Sequence, residues 1–120
     1  MPRNMSVALT IDAVKARQKT VTRRAGWTFL KPGDLLTLCE KCQGRKPGEP
    51  LVRLATVQVV NVRREPLFMV TADEVDKEGF LGMTPEQFLR TYFVEAQGMS
   101  VRDEVTRVEW IYVEDGEDRG

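Results

Sequence analysis

Gln18-Lys19-Thr20-Val21-Thr22-Arg23-Arg24, followed closely by Gly26-Trp27, is the stretch around which the rest of the chain arranges itself. Four cations lie between Arg17 and Arg24, interleaved with two threonines and no acid. Its alternation has the period of a strand, which sends Lys19, Val21 and Arg23 to one face and Thr20, Thr22 and Arg24 to the other. A basic, hydroxyl-rich strand suits a phosphate, a nucleobase or a polarised carbonyl. The alternative is an edge strand whose charges discourage pairing with another chain.

The surrounding chain is one domain of 120 residues, with 42% apolar and 30% charged residues. That length supports a single modest core. Net charge is zero, yet residues 1–64 carry 13 Lys/Arg against 4 Asp/Glu, and residues 65–120 carry 5 against 14. Such asymmetry points to an anionic partner for the basic half, unless the halves interleave and neutralise each other. No apolar run approaches a membrane span. Met1-Pro2-Arg3-Asn4 lacks the apolar core of a secretory signal, so cytoplasmic residence is the default expectation.

The chain has no histidine, which removes the commonest neutral-pH base and the commonest zinc ligand. Any catalysis must fall to Lys, Glu, Asp, Thr, Ser, Tyr or Cys. Cys39 and Cys42 form one C-x-x-C without a second pair, and they are read as ordinary reduced thiols. No metal and no cofactor are expected.

In chain order, Val7–Ile11 reads as a first strand and Asp12 as the cap of a brief helix through Arg17. The opening strand, Thr20 to Arg23, follows. Trp27, Phe29 and Leu30 lie in a loop as core or pocket wall. Lys31-Pro32-Gly33-Asp34 is a turn that delivers the strand Leu35–Cys39. A charged loop follows from Glu40 to Pro50, with Lys41, Arg45 and Lys46. Leu51 to Val62 is a long strand with a bulge expected near Val59-Val60, ended by Arg63-Arg64-Glu65-Pro66. Thr71 and Glu74 form a capping box for a short helix, Ala72–Lys77. Thr84, Pro85 and Gln87 open the longest helix, whose Phe88, Leu89, Tyr92 and Phe93 share a face expected in the core. Val105 to Val113 is the last strand, and the acidic tail Glu114–Gly120 is expected to fray. Five to six strands with two or three inserted helices make a small α+β protein with a curled or closed sheet.

Four motifs in order carry a family resemblance: Lys19-Thr20-Val21-Thr22-Arg23-Arg24, Leu30-Lys31-Pro32-Gly33-Asp34, Glu78-Gly79-Phe80-Leu81-Gly82-Met83-Thr84-Pro85-Glu86-Gln87-Phe88, and Val105-Thr106-Arg107-Val108-Glu109. Over residues 6 to 113 the chain resembles the ASCH domain, a member of the PUA-like group of β-barrels. The resemblance implies a small barrel with a cleft beside the basic strand, accepting RNA or a modified nucleoside. Some small members are amidohydrolases on N4-acylated cytidine, and their working lysine, threonine and glutamate fall on Lys19, Thr22 and Glu78. The chain departs from those members in placing Arg23 directly after Thr22 and in the length of its Glu40–Pro50 loop.

The chemistry is sound on its own terms. A desolvated lysine loses proton affinity and serves as a base. It would activate the Thr22 hydroxyl, with Glu78 holding the lysine or moving its proton. Arg23 or backbone amides would steady the oxyanion. Strand parity sets Lys19 and Thr22 on opposite faces, so Lys19 must sit in the turn before the strand if the two converge. Thr20, Arg23, Arg24 and Trp27 are the ligand-binding candidates, the arginines for an anion and Trp27 for stacking. Three functions follow as expectations: binding of RNA or a modified nucleoside, amide hydrolysis on such a nucleoside, or ribonuclease activity.

Overall fold

A computed structural model of the chain describes residues 2–42 and 46–113; Arg45 of the charged loop and the tail Glu114–Gly120 lie outside them. Five strands are present among the described residues: β1 (Arg3–Ser6), β2 (Val21–Arg24), β3 (Leu35–Cys39), β4 (Arg53–Pro66) and β5 (Glu104–Tyr112). They form one sheet in the order β1-β3-β4-β5-β2. β1 runs parallel to β3, and the other neighbours pair antiparallel.

β4 is the spine, pairing with β3 on one side and with β5 along most of its length. Its register against β5 shifts between Val59 and Asn61, leaving Val60 as the extra residue. The bulge is where the broken alternation placed it, and bulges bend and twist a strand. The sheet curls until its two edges approach. There Arg24 Nη2, on β2, donates to the Ser6 carbonyl, on β1, at 2.7 Å.

Among the described residues three short α-helices and a 3-10 segment over Leu67–Met69 are inserted: α1 (Ile11–Lys15), α2 (Ala72–Lys77) and α3 (Pro85–Leu89), the last α-helix continuing as a π-helical segment over Arg90–Glu95. The α3 capping box forms in both directions, through Thr84 Oγ1 and Gln87 Oε1 at 3.1 Å each. The π segment turns Phe93 toward Phe88 five residues earlier, with ring centroids 5.4 Å apart. Gln97 Nε2 donates to the Tyr92 carbonyl at 2.7 Å.

The apolar interior divides in two. Met5, Leu36, Leu38, Val57, Val59, Val108 and Trp110 pack inside the curl of the sheet, while Leu67, Val75, Phe88, Leu89, Phe93 and Val105 pack under α2 and α3. The buried charges Lys19, Arg23, Glu65, Glu78 and Arg107 belong to neither cluster.

Several sequence boundaries are corrected. The first strand is Arg3–Ser6, not Val7–Ile11. Val7 still donates to the Cys39 carbonyl at 2.9 Å, but Thr10 then donates back to Val7 and closes a turn. Thr10 rather than Asp12 is the N-cap of α1, and the helix stops at Lys15. β2 starts at Val21, because Thr20 pairs its amide with the Lys77 carbonyl instead. Arg63-Arg64-Glu65-Pro66 does not end β4; it continues the ladder, with Pro66 opposite Glu104 at its last position. The capping box of α2 forms by half. Thr71 Oγ1 accepts from the Glu74 amide at 3.3 Å, but the Glu74 carboxylate turns to two arginines.

Candidate functional site

Two helix ends aim the central pair. α1 closes with Arg17 in the left-handed conformation (φ 59°); Arg17 N donates to Val14 O at 2.9 Å and Gln18 N to Ala13 O at 2.8 Å. α2 closes the same way. Gly79 has φ 101°, its amide donates to Asp76 O, and the Phe80 amide donates to Val75 O. This double bond pattern is the Schellman motif, which reverses the chain sharply after a helix. The first reversal delivers Lys19 ahead of β2, and the second fixes Glu78 and Phe80 on either side of the turn. The Lys19 carbonyl is anchored twice, by Trp110 Nε1 at 3.0 Å and by the Tyr112 hydroxyl at 2.6 Å.

Lys19 and Glu78 meet in the interior, each 3% exposed. Lys19 Nζ donates to the Glu78 carbonyl oxygen at 2.6 Å and lies 3.4 Å from its carboxylate Oε1. Glu78 Oε2 accepts from Arg23 Nη1 at 3.1 Å. Arg23 has four of its five donors engaged, since it also donates to Glu65 through Nε at 3.2 Å and Nη2 at 2.9 Å, and to Glu74 through Nη2. Glu74 in turn accepts from Arg107 Nε at 2.6 Å and Nη2 at 3.0 Å. Arg63 and Glu109 end the network toward solvent. Acids of the second half therefore neutralise bases of the first at this point.

Burial pushes the Lys19 ammonium down from its ordinary value, and the Arg24 and Arg23 guanidiniums push the same way against the pull of Glu78. Burial pushes the Glu78 carboxyl up, against the attraction of Lys19 and Arg23. Hydrogen bonds from Arg107 hold Glu74 at about 2, against its burial and with help from Arg23. Burial works against the Arg23 charge, but its bonds to Glu74, Glu78 and Glu65 outweigh it and raise its pKa.

Lys19, Thr22, Arg23, Arg24 and Glu78 line one cleft of about 370 Å³ at the seam between the sheet edges. Ser6–Thr10 form one lip, and Phe80, Phe88, Tyr92, Phe93 and Gln97 form the facing wall. Phe80 and Tyr92 lie with centroids 4.5 Å apart, and Lys19 Nζ stands 6.0 Å from the Phe80 ring centre. Thr22 is 3% exposed, and its Oγ1 accepts from Arg24 Nε at 3.1 Å. An accepted bond leaves the hydroxyl proton free to donate. The volume and lining suit one small planar molecule with a few polar groups.

The parity conflict resolves as required. Lys19 precedes β2, so it shares the cleft with Thr22. Arg23 lines the cleft but is occupied by three glutamates. Thr20 and Trp27 are not among the lining residues; Thr20 is engaged through its backbone, and Trp27 packs against the sheet core and the Phe29 ring at 5.4 Å. Sequence reasoning missed Glu65, Glu74 and Arg107, and it assigned the α3 aromatics to the core alone. Phe88 and Phe93 are buried, but Phe80 and Tyr92 remain partly open and complete the wall. The glycines Gly79 and Gly82 around Phe80, which mark a turn, were the available signal.

No protein-family model matches the sequence, and no curated protein is significantly similar to it. Solved structures do share its fold. A DUF984-family protein from Enterococcus faecalis superposes with a TM-score of 0.70 at 14% identity, over 94% of this chain and 80% of that one. An ASCH domain from Lactobacillus crispatus gives 0.62 at 12% identity, over 87% and 70%. ASCH from Zymomonas mobilis gives 0.57 at 14% identity, over 93% and 68%. The curled five-stranded sheet with its inserted helices is thus the fold of these ASCH and DUF984-family structures. Among the described residues no helix is long and apolar enough to cross a membrane.

Proposed function

We propose that the cleft takes a modified nucleoside and hydrolyses an amide on it, as an amidohydrolase of N4-acetylcytidine-like compounds. The observation that carries this reading is the buried Lys19–Glu78 pair beside a buried Thr22 hydroxyl, all three on the wall of a cleft faced by aromatic rings. In the proposed reaction neutral Lys19 Nζ takes the Thr22 hydroxyl proton as Oγ1 attacks the amide carbon. The tetrahedral centre collapses, the carbon–nitrogen bond breaks, and Lys19 returns the proton to the leaving amine. Water then attacks the threonyl ester, giving up a proton to Lys19, and carboxylic acid leaves as Thr22 regains its hydrogen. Glu78 orients Lys19 throughout, with its own carboxylate fixed by Arg23. Arg23 itself, occupied by glutamates, is released from the oxyanion role.

The test is incubation with N4-acetylcytidine. The wild type should release cytidine and acetate, and Lys19→Ala, Thr22→Ala and Glu78→Ala should each lose about a hundredfold or more. No turnover, or turnover indifferent to the three changes, removes the assignment.

A second reading, RNA binding, is favoured by a different surface. The Arg3 guanidinium lies 4.5 Å above the Phe29 ring, which is 52% exposed and adjoins Trp27. Such cation–aromatic platforms stack unpaired bases. Against a broad basic surface, Arg63 is paired with Glu65 and Arg64 is spent on the Ala25 and Glu104 carbonyls. Affinity for single-stranded RNA that falls steeply with salt and drops in Phe29→Ala would support it; binding indifferent to both would count against it.

A further inference from the structure

We propose that Arg24 forms an oxyanion subsite in the cleft, so that the ligand group bound beside Thr22 carries a phosphate or a carboxylate. The proposal rests on the cleft reading above for its location and not on amide hydrolysis. Six cations meet four carboxylates in and around the buried network: Lys19, Arg23, Arg24, Arg63, Lys77 and Arg107 against Glu65, Glu74, Glu78 and Glu109. Arg24 stands apart from the other five, each of which is paired with a carboxylate. It makes no ion pair among the described residues, and its two bonds go to neutral oxygens: Nε to Thr22 Oγ1 at 3.1 Å and Nη2 to Ser6 O at 2.7 Å.

Glu78 attracts Arg24 from farther off, but its two carboxylate oxygens are already taken by Lys19 and Arg23. A guanidinium has five N–H donors, so three remain, spread over Nη1 and Nη2. The two existing bonds fix the plane of the group, which leaves its end edge preorganised for two parallel bonds to one oxyanion. Burial pushes the Arg24 guanidinium down from its ordinary value, and a half-buried cation facing a cleft gains most from an anion that enters. Phosphate and carboxylate share this recognition chemistry. A nucleotide would supply the first, and an acidic acyl group the second.

The experiment is titration of the whole chain with inorganic phosphate, acetate, cytidine and cytidine 5′-monophosphate by calorimetry. Wild type should bind phosphate saturably and prefer the monophosphate to cytidine by about tenfold or more, the range of a charge-assisted bond. Arg24→Gln should weaken phosphate binding by about 10- to 100-fold, and Arg64→Gln should leave it unchanged. Acetate bound more tightly than phosphate would assign the subsite to a carboxylate. Phosphate binding that survives Arg24→Gln overturns the proposal. If the variant does not fold, the wild-type comparison decides alone: no phosphate or acetate binding together with equal affinity for cytidine and its monophosphate overturns it. Phosphate binding without N4-acetylcytidine turnover would sink the amide-hydrolysis reading and leave this one standing.

Discussion

Lys19 Nζ lies 2.6 Å from the backbone carbonyl oxygen of Glu78 and 3.4 Å from its carboxylate. The lysine is thus held more closely by a peptide dipole than by its counter-charge. The carboxylate charge opposes the desolvation that favours the neutral amine but does not cancel it, and the ammonium is still pushed down from its ordinary value. The rate of amide hydrolysis should accordingly rise with pH through a lysine pKa below 10.5 and level off above it. Lys19→Arg, which cannot surrender its proton at any of these values, should lose about a hundredfold to ten-thousandfold. The pH–rate profile of the wild type beside that variant checks both statements.

Arg23 illustrates how far a cation can be diverted from its sequence-level role. Its side chain is fully buried and bridges Glu65, Glu74 and Glu78. Removing it takes a buried cation from three carboxylates, which keep only Arg63, Arg107 and Lys19 as their main partners, and breaking a buried pair in this way costs about 3–5 kcal/mol. Arg23→Met should therefore destabilise strongly. Arg63→Met should cost about 1 kcal/mol or less, because the Arg63 side chain is 53% exposed. Urea unfolding of the two variants gives the comparison. Equal costs would mean that the network contributes no more than a surface pair.

Local signals made much of the fold legible. Leu35–Cys39 and Ala72–Lys77 could be bounded because alternation and caps act within a few residues. The bulge at Val60 showed as a break in period, and the parity conflict correctly moved Lys19 out of the strand. The charge network was hidden for the opposite reason. Arg23 lies 42 residues from Glu65, 51 from Glu74 and 55 from Glu78, and only the sheet order together with the docking of α2 on the sheet brings them together. Glu74 carried a misleading local signal. A capping bond contributes about 1 kcal/mol, whereas bonds to charged groups contribute about 1.5–3 each, so Arg23 and Arg107 draw the carboxylate away from the cap.

That competition has a pH signature. Glu74 is held at about 2 against an ordinary 4.5. A depressed carboxyl pKa contributes stability that is present above the unfolded value and is lost as pH falls toward the folded one. The window is therefore pH 4.5 down to 2, and the loss is at most about 3 kcal/mol. Glu65, also lowered once its bonds from Arg63 and Arg23 outweigh burial, adds in the same direction. Glu78, raised by burial, opposes both. Glu74→Gln should be less stable than wild type at pH 7, and the gap should close as pH approaches 2. Urea midpoints at pH 7, 4 and 3 measure this; a constant gap would show that the Glu74 charge has no part in it.

The position of Glu78 depends on the residue after it. Gly79 adopts φ 101°, a conformation L side chains rarely take, and an added Cβ would stand 2.9 Å from Ala13 Cβ and 3.2 Å from Thr10 Cγ2. The left-handed conformation alone costs a non-glycine residue about 1 kcal/mol. The Ala13 contact adds an overpacking cost of about 1–3 kcal/mol, because Ala13 belongs to α1 and has no rotamer to yield. Gly79→Ala should thus destabilise by about 2–4 kcal/mol. Relief of the clash requires α1 and the end of α2 to separate. Those two segments carry Lys19 and Glu78, and the Thr20 amide ties them through the Lys77 carbonyl at 2.8 Å. Hydrolysis should therefore fall even at temperatures where the variant remains folded, and Arg17→Gly offers the contrast. Arg17 is also left-handed, at φ 59°, and glycine relieves that strain; it gives up only an exposed guanidinium over the Tyr112 ring. Melting curves and turnover for the two substitutions should move in opposite directions in stability, and activity should drop only in Gly79→Ala.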